Sequence, residues 1–198
     1  MTITPTRDRR VRRSRSALMR AAIALVAERG TSSIPVSDIV DAADVSRPLL
    51  YQHFGDRDTL LLEAALDLAR TDLVERVHDR DEKLTERDRV LAATRHFARH
   101  RAFYRPMLTG PCAYGLNKAL TDLLSPFNRV WARRMSPGDL ASELLDDLAL
   151  FLTGGSAAVI NTWVIEGPDP LDPEAFTDRL LRMLPVVTCQ PSDRESQP

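Results

Sequence analysis

The chain has 198 residues, 43% of them hydrophobic, which suffices for one sizeable core and excludes disorder throughout. Its two cysteines, Cys112 and Cys189, stand far apart and supply neither a disulfide framework nor a metal-ligand spacing. No uninterrupted apolar run approaches roughly 18 residues and no signal-peptide pattern follows the N-terminal arginines, so a soluble, unexported protein of the cytoplasm with no membrane partner is expected.

The net charge of −1 hides an asymmetry. Residues 1–20 carry seven arginines (Arg7, Arg9, Arg10, Arg12, Arg13, Arg15 and Arg20) against one acid, Asp8, a net of +6 that leaves −7 for the rest. A basic end on an acidic body suits a protein that touches a polyanion with that end, because arginines near phosphates release condensed counterions. An arginine-rich composition, in which Lys83 and Lys118 are the only lysines, explains the run equally well, so charge alone decides nothing.

Along the chain, apolar residues recur at helical spacing and strands are hard to find. Leu18, Ala21, Ala22, Leu25 and Val26 form one stripe of a helix over residues 12–29, closed by Gly30. Val36, Ile39, Val40 and Ala43 repeat the spacing over two turns, a helix too short to stand without neighbours. Asp44, a residue tolerant of a left-handed backbone, marks a tight turn, and Ser46 caps a third helix with Pro48 in its first turn. There Leu50 and Phe54 point inward, which distributes Arg47, Pro48, Tyr51, Gln52 and His53 over the other surfaces. Two short helices joined by a tight turn after a longer one make a helix-turn-helix, whose second helix enters the major groove.

A long helix is predicted from 56 to about 78, a solvated bend at 79–88, and a helix from about 89 to 108 that Pro106 should kink or shorten. Gly110 and Pro111 break the chain; 116–135 reads as helical with a disturbance at Ser125 and Pro126, and residues 136–138 form the next break. The long, strongly apolar stretch 140–165 wants a partner helix. A loop at 167–173, a last helix over 173–184 with Phe176, Leu180, Leu181 and Leu184 on one side, and a disordered tail after Thr188 complete the reading.

Residues 16–65, about a quarter of the chain, resemble the DNA-binding domain of TetR-family regulators. The resemblance rests on the alanine-rich first helix ending in Glu28, Arg29 and Gly30, on Asp38-Ile39-Val40, on Val45-Ser46, and on Leu50-Tyr51-x-His53-Phe54 followed by Arg57, all in order at family spacing. It implies an all-α fold of about nine helices, divided into a flexible basic arm at 1–11, a helix-turn-helix domain at 12–58, an effector-binding and dimerisation domain at 59–188 and a disordered tail at 189–198. It implies that Arg47 and Gln52 face base edges, that Pro48 and Tyr51 press on sugars or thymine methyls, that Tyr51, His53 and Arg57 reach phosphates, and that Ser37 meets a phosphate or a base. Ser46, Arg12 and Arg13 complete the expected DNA-binding set, the last two in an arm along the minor groove or the backbone. An arginine fork can take guanine O6 and N7 bidentately, and Arg57 opens a helix whose unpaired N–H groups favour an anion. Three positions depart from the family: Pro35 stands where Ser or Thr is usual, Asp44 where glycine is, and Leu49 where a small or hydroxyl residue is common, so that Leu49 exchanges a phosphate contact for a thymine methyl.

The body matches the family only in helical layout. From the resemblance, Phe103, Met107, Tyr114, Phe127, Trp131, Phe151 and Trp163 line a cavity for a small apolar effector, although each is more often plain core. The resemblance also implies a homodimer seam formed by Gly154, Gly155, Ala158 and Thr162 with Phe176 and Leu180 of the last helix. His96 and His100 have the four-residue spacing of two metal ligands, yet no carboxylate or thiol of the accompanying sequence pattern is near, and neither metal nor cofactor is expected. No nucleophile elbow, phosphate loop or paired carboxylates occur, so an enzyme is not expected. The reading is a DNA-binding transcriptional regulator, a repressor released from a palindromic operator by an effector; the alternatives are an all-helical enzyme and an effector-independent DNA-binding or interaction protein.

Overall fold

The computed structural model describes residues 5–74, 85–135 and 141–188. Among them the regular elements are all helical: α1 (Pro5–Arg29), α2 (Val36–Ala43), α3 (Arg47–Phe54), α4 (Arg57–Ala69) prolonged by a π-turn (Arg70–Val74), α5 (Glu86–Arg99), α6 (Arg101–Thr109), α7 (Ala113–Met135), α8 (Ser142–Glu166) and α9 (Pro173–Thr188). The predicted break at 136–138, most of the bend at 79–88 and the tail at 189–198 lie outside the described residues.

Local chemistry explains most boundaries. The Val26 carbonyl accepts from Gly30, whose φ of 63° ends α1. Asp44 sits at φ 51° and ψ 49° after α2, the left-handed turn that its side chain tolerates. Asp56 caps α4 by accepting from the Thr59 amide at 2.7 Å, and Thr85 forms a capping box with Asp88 at the head of α5.

Two expectations change. The arm foreseen at 1–11 is helical from Pro5 onward, because no breaker separates it from the rest of α1, arginine is a good helix former, and proline suits a first helical turn. The helix foreseen over 89–108 is two helices that part at His100, with φ −105° and ψ 21°, while Pro106 stays buried inside α6. That bend turns Phe103, Tyr104 and Met107 into the interior, and burying three large side chains outweighs one backbone hydrogen bond lost at a proline.

A single core runs from the helix-turn-helix into the body. Leu18, Ala22 and Val26 of α1 belong to the same apolar cluster as Leu60, Leu61 and Ala64 of α4 and Phe103 and Met107 of α6. α4 is thus part of both halves. The Tyr104 hydroxyl lies 3.2 Å from the Ala65 carbonyl, and Arg101 donates to the carbonyls of Val164, Gly167 and Pro168, closing the C-terminal end of α8. Gly110 sits where the α6 end meets the α1–α2 loop: a methyl group there would fall inside contact distance of Ser32 Oγ and the Pro106 carbonyl. Gly110→Ala is therefore expected to lower stability by about 1–3 kcal/mol in urea denaturation, through overpacking at this junction.

α8 is the one helix among the described residues long and apolar enough to cross a membrane, with a mean hydropathy of 1.6 over 18 residues of which only 28% are buried. The expectation that no run approaches a span is amended to that extent. Length and composition do not separate a span from the central helix of a bundle.

Candidate nucleic-acid interface and body cavity

α3 is held from behind and open in front. Leu50 and Phe54 are buried, whereas Arg47, Pro48, Tyr51 and Gln52 are exposed and Leu49 is half-buried. Arg15 of α1 fixes the buried side: its guanidinium lies 4.4 Å from the Phe54 ring centre, donates to the His53 carbonyl at 2.8 Å and pairs with Glu63 of α4. One arginine therefore staples three helices, and α3 presents its outer face on a rigid support.

On that face Arg47 donates to the Tyr51 hydroxyl at 3.2 Å, with its guanidinium 5.7 Å from the ring centre. A planar fork resting on an aromatic is ordered before any ligand arrives, which lowers the entropy lost on binding. Ser46, at the head of α3, makes no side-chain capping hydrogen bond, and Pro35 at the head of α2 supplies none either. First-turn N–H groups of this kind are suited to an anion. Ser37 is exposed and donates to Asp38 at 2.9 Å, and Arg29 holds the same carboxylate, which with the serine keeps it below the usual range. Arg12 and Arg13 are exposed on α1. Arg57 opens α4 but pairs with its neighbour Asp58 at 2.7 Å, so a phosphate has to compete with that carboxylate.

His53 is placed differently from the expectation. Its Nε2 lies 3.0 Å from Ser14 Oγ, and Ser14 lies within donating distance of the Arg10 and Val11 carbonyls. The serine proton goes to those carbonyls, so the histidine N–H donates to the serine and no ring proton is left for a phosphate. Burial, reinforced by the Arg15 charge, depresses the imidazole below its ordinary 6.5 and keeps it neutral. His53 thus ties α3 to α1. A histidine depressed on folding contributes stability that is present above 6.5 and lost as pH falls through its folded value, because the unfolded chain binds the proton more readily. The drop in urea midpoint between about pH 7.5 and 5.5 is expected to be smaller in His53→Gln than in the wild type; an identical drop would assign the linkage elsewhere.

Residues 18–64 match the family described as bacterial regulatory proteins, tetR family. That span coincides with the stripe of α1, the turn, α3 and the start of α4. Residues 18–64 therefore form a DNA-binding domain of the TetR type. No curated protein matches the chain. Among solved structures, the dihydroxyacetone kinase operon activator DhaS is similar, with a TM-score of 0.58 and 15% sequence identity over 88% of this chain and 96% of that one. At that identity the likeness concerns the fold alone, an all-helical arrangement shared over both chains.

The helical body contains a cavity of about 660 Å³ between α5, α7, α8 and α9, partly open to solvent. It lies where the main core parts from a smaller cluster of Ala132, Leu145 and Leu152. Of the seven aromatic and methionine residues expected to line it, Phe127, Trp131 and Phe151 do so. Phe103 and Met107 are buried in the core instead, Trp163 stacks on Phe176 with ring centres 4.1 Å apart, and Tyr114 points outward, 83% exposed. Phe97, Leu120, Leu124 and Ile160 carry the lining that the sequence did not reveal. Few polar groups face it: Asn161 donates to Asn117 and Asn128 to Thr153, both at 2.7 Å, while Glu86 Oε1 is buried without a hydrogen-bond partner.

Of the residues expected at a dimer seam, Gly154, Gly155, Ala158 and Thr162 are exposed along α8, continuous with Phe151 at 63% exposure. Phe176 and Leu180 are buried within their own chain, because the α9 face that carries them packs on Trp163 and α5.

Proposed function

We propose that the protein is a homodimeric cytoplasmic repressor that holds a palindromic operator and lets go when a small, largely apolar effector fills the body cavity. The observation that carries this reading is the pairing of two features on one continuous core: an outward α3 face with Arg47 preset on Tyr51, and an apolar cavity within the size range of small-molecule sites. In this reading Arg47 and Gln52 meet base edges; Pro48, Leu49 and Tyr51 meet sugars or thymine methyls; Ser37, Ser46, Arg12, Arg13 and Arg57 meet phosphates or backbone. Phe127, Trp131 and Phe151 grip the effector, and the unpartnered Glu86 oxygen favours one that carries a hydrogen-bond donor. Two chains join through the exposed α8 face, which places one α3 in each of two successive major grooves about 34 Å apart.

Release follows from geometry. α4 is shared by the reading module and the body, so a ligand that prefers one packing of the body shifts the pivot of α4 and the spacing of the two α3 helices. The test is DNase footprinting and gel shift on the chain's own upstream region, with a thermal-shift screen for effectors. Protection of a two-fold symmetric site, weakened by salt and abolished by a compound that stabilises the body, is the expected result. Absence of symmetric protection overturns the operator reading; compounds that stabilise the protein without releasing DNA overturn the effector mechanism.

A further inference from the structure

His96 and His100, read from the sequence as lacking a companion carboxylate, have one in the fold. Asp72 reaches them from the π-turn that prolongs α4, an uncommon backbone form concentrated at functional sites. Its Oδ2 lies 3.0 Å from His96 Nδ1 and 3.1 Å from His100 Nε2, and the three ligating atoms lie within 4.8 Å of one another. Tetrahedral zinc bonds of about 2.0–2.1 Å place ligands roughly 3.3 Å apart, close to the two Asp72–histidine distances, so the two imidazoles need only adjust relative to each other to surround an ion. The His96 side chain is 1% exposed, Asp72 15% and His100 22%, a gradient from interior to a solvent-facing side by which an ion can enter.

The next shell is ordered as well. With Nδ1 on a metal, His96 carries its proton on Nε2 and donates to the Tyr104 hydroxyl at 2.8 Å. Tyr104 in turn gives its proton to the Ala65 carbonyl of α4, and burial keeps that phenol protonated. Such an outer partner fixes the ring orientation of a metal-bound histidine. Arg99 approaches the same Asp72 oxygen at 3.6 Å on an exposed side chain that has room to turn away. Two imidazoles and one carboxylate suit zinc and its first-row neighbours and leave a fourth position for water.

We propose that Asp72, His96 and His100 bind a divalent transition-metal ion that clamps the end of α4 to the α5–α6 junction. The site is separate from the cavity, although Leu73 and Phe97, the neighbours of two of its ligands, line the cavity wall.

The experiment titrates Co²⁺ into the untagged full-length protein, follows the visible absorption and the melting temperature, and then displaces Co²⁺ with Zn²⁺. One Co²⁺ per chain with the band of a four-coordinate site, and a rise in Tm, is the expected result. His100→Gln and Asp72→Asn keep hydrogen-bonding groups in place, so both should retain the helical circular dichroism while binding Co²⁺ at least about tenfold more weakly. Absence of saturable binding by the wild type overturns the proposal. So does undiminished binding in the two variants, which would place the ion away from Asp72, His96 and His100.

Discussion

Arg47→Ala is expected to cost about 1–3 kcal/mol of operator affinity per half-site, roughly 5- to 150-fold, with the loss concentrated at one base pair. The geometry favours a large effect because the guanidinium is already oriented by Tyr51 and exposed at the front of α3, so little ordering is lost when it meets a base. A dimer carries the change twice, and the loss on the full operator approaches the sum over both half-sites. Arg47→Lys should recover little, since a point charge does not reproduce two parallel hydrogen bonds. Arg13→Ala serves as the contrast: an arginine on the exposed side of α1 should weaken specific and random DNA alike and lower the salt slope by about 1. Binding to a set of operators mutated one base pair at a time separates the two. If Arg47→Ala lost affinity evenly over that set, Arg47 would be a phosphate contact.

The reading module was legible in the sequence because its determinants are local. The stripe of Leu18, Ala22 and Val26, the left-handed Asp44 and the inward pair Leu50 and Phe54 follow from spacings of three and four residues and from turn chemistry. His53 escaped that logic: its partners, Ser14 and Arg15, lie on α1, 39 and 38 residues away. In the body, the composition of an aromatic-rich helix does not say which side becomes core. Phe103 and Met107 turned inward at the His100 bend, while Tyr114 turned out, and the cavity arises only where two apolar clusters part. The Asp72 cluster is the same lesson in polar form. A carboxylate 24 residues before His96 belongs to no ligand-spacing pattern, and only the packing of the π-turn on α5 brings the two together.

Gly154→Arg is expected to abolish operator binding without unfolding the chain. Gly154 is exposed in the middle of α8, and a Cβ added there has nothing of its own chain within 4 Å. Replacing a mid-helix glycine by a better helix former stabilises a helix by about 0.5–1 kcal/mol, so the variant should keep its helical circular dichroism, and any fall in Tm reports the stabilisation that the lost dimer supplied. A second copy changes the balance. If the α8 faces meet around Gly154, Ala158 and Thr162, two guanidinium groups are forced into an apolar, closely approaching seam, where an unpaired buried charge costs several kcal/mol per ion. The chain should then elute at the mass of one protomer. A lone α3 retains only half-site contacts and forfeits the effective concentration that the paired module confers, which amounts to about 10²- to 10⁴-fold in affinity. Gel filtration with multi-angle scattering, read beside the gel shift, decides the matter. A dimer that persists in Gly154→Arg would move the seam off this face of α8 and leave the exposed Phe151 to a different contact.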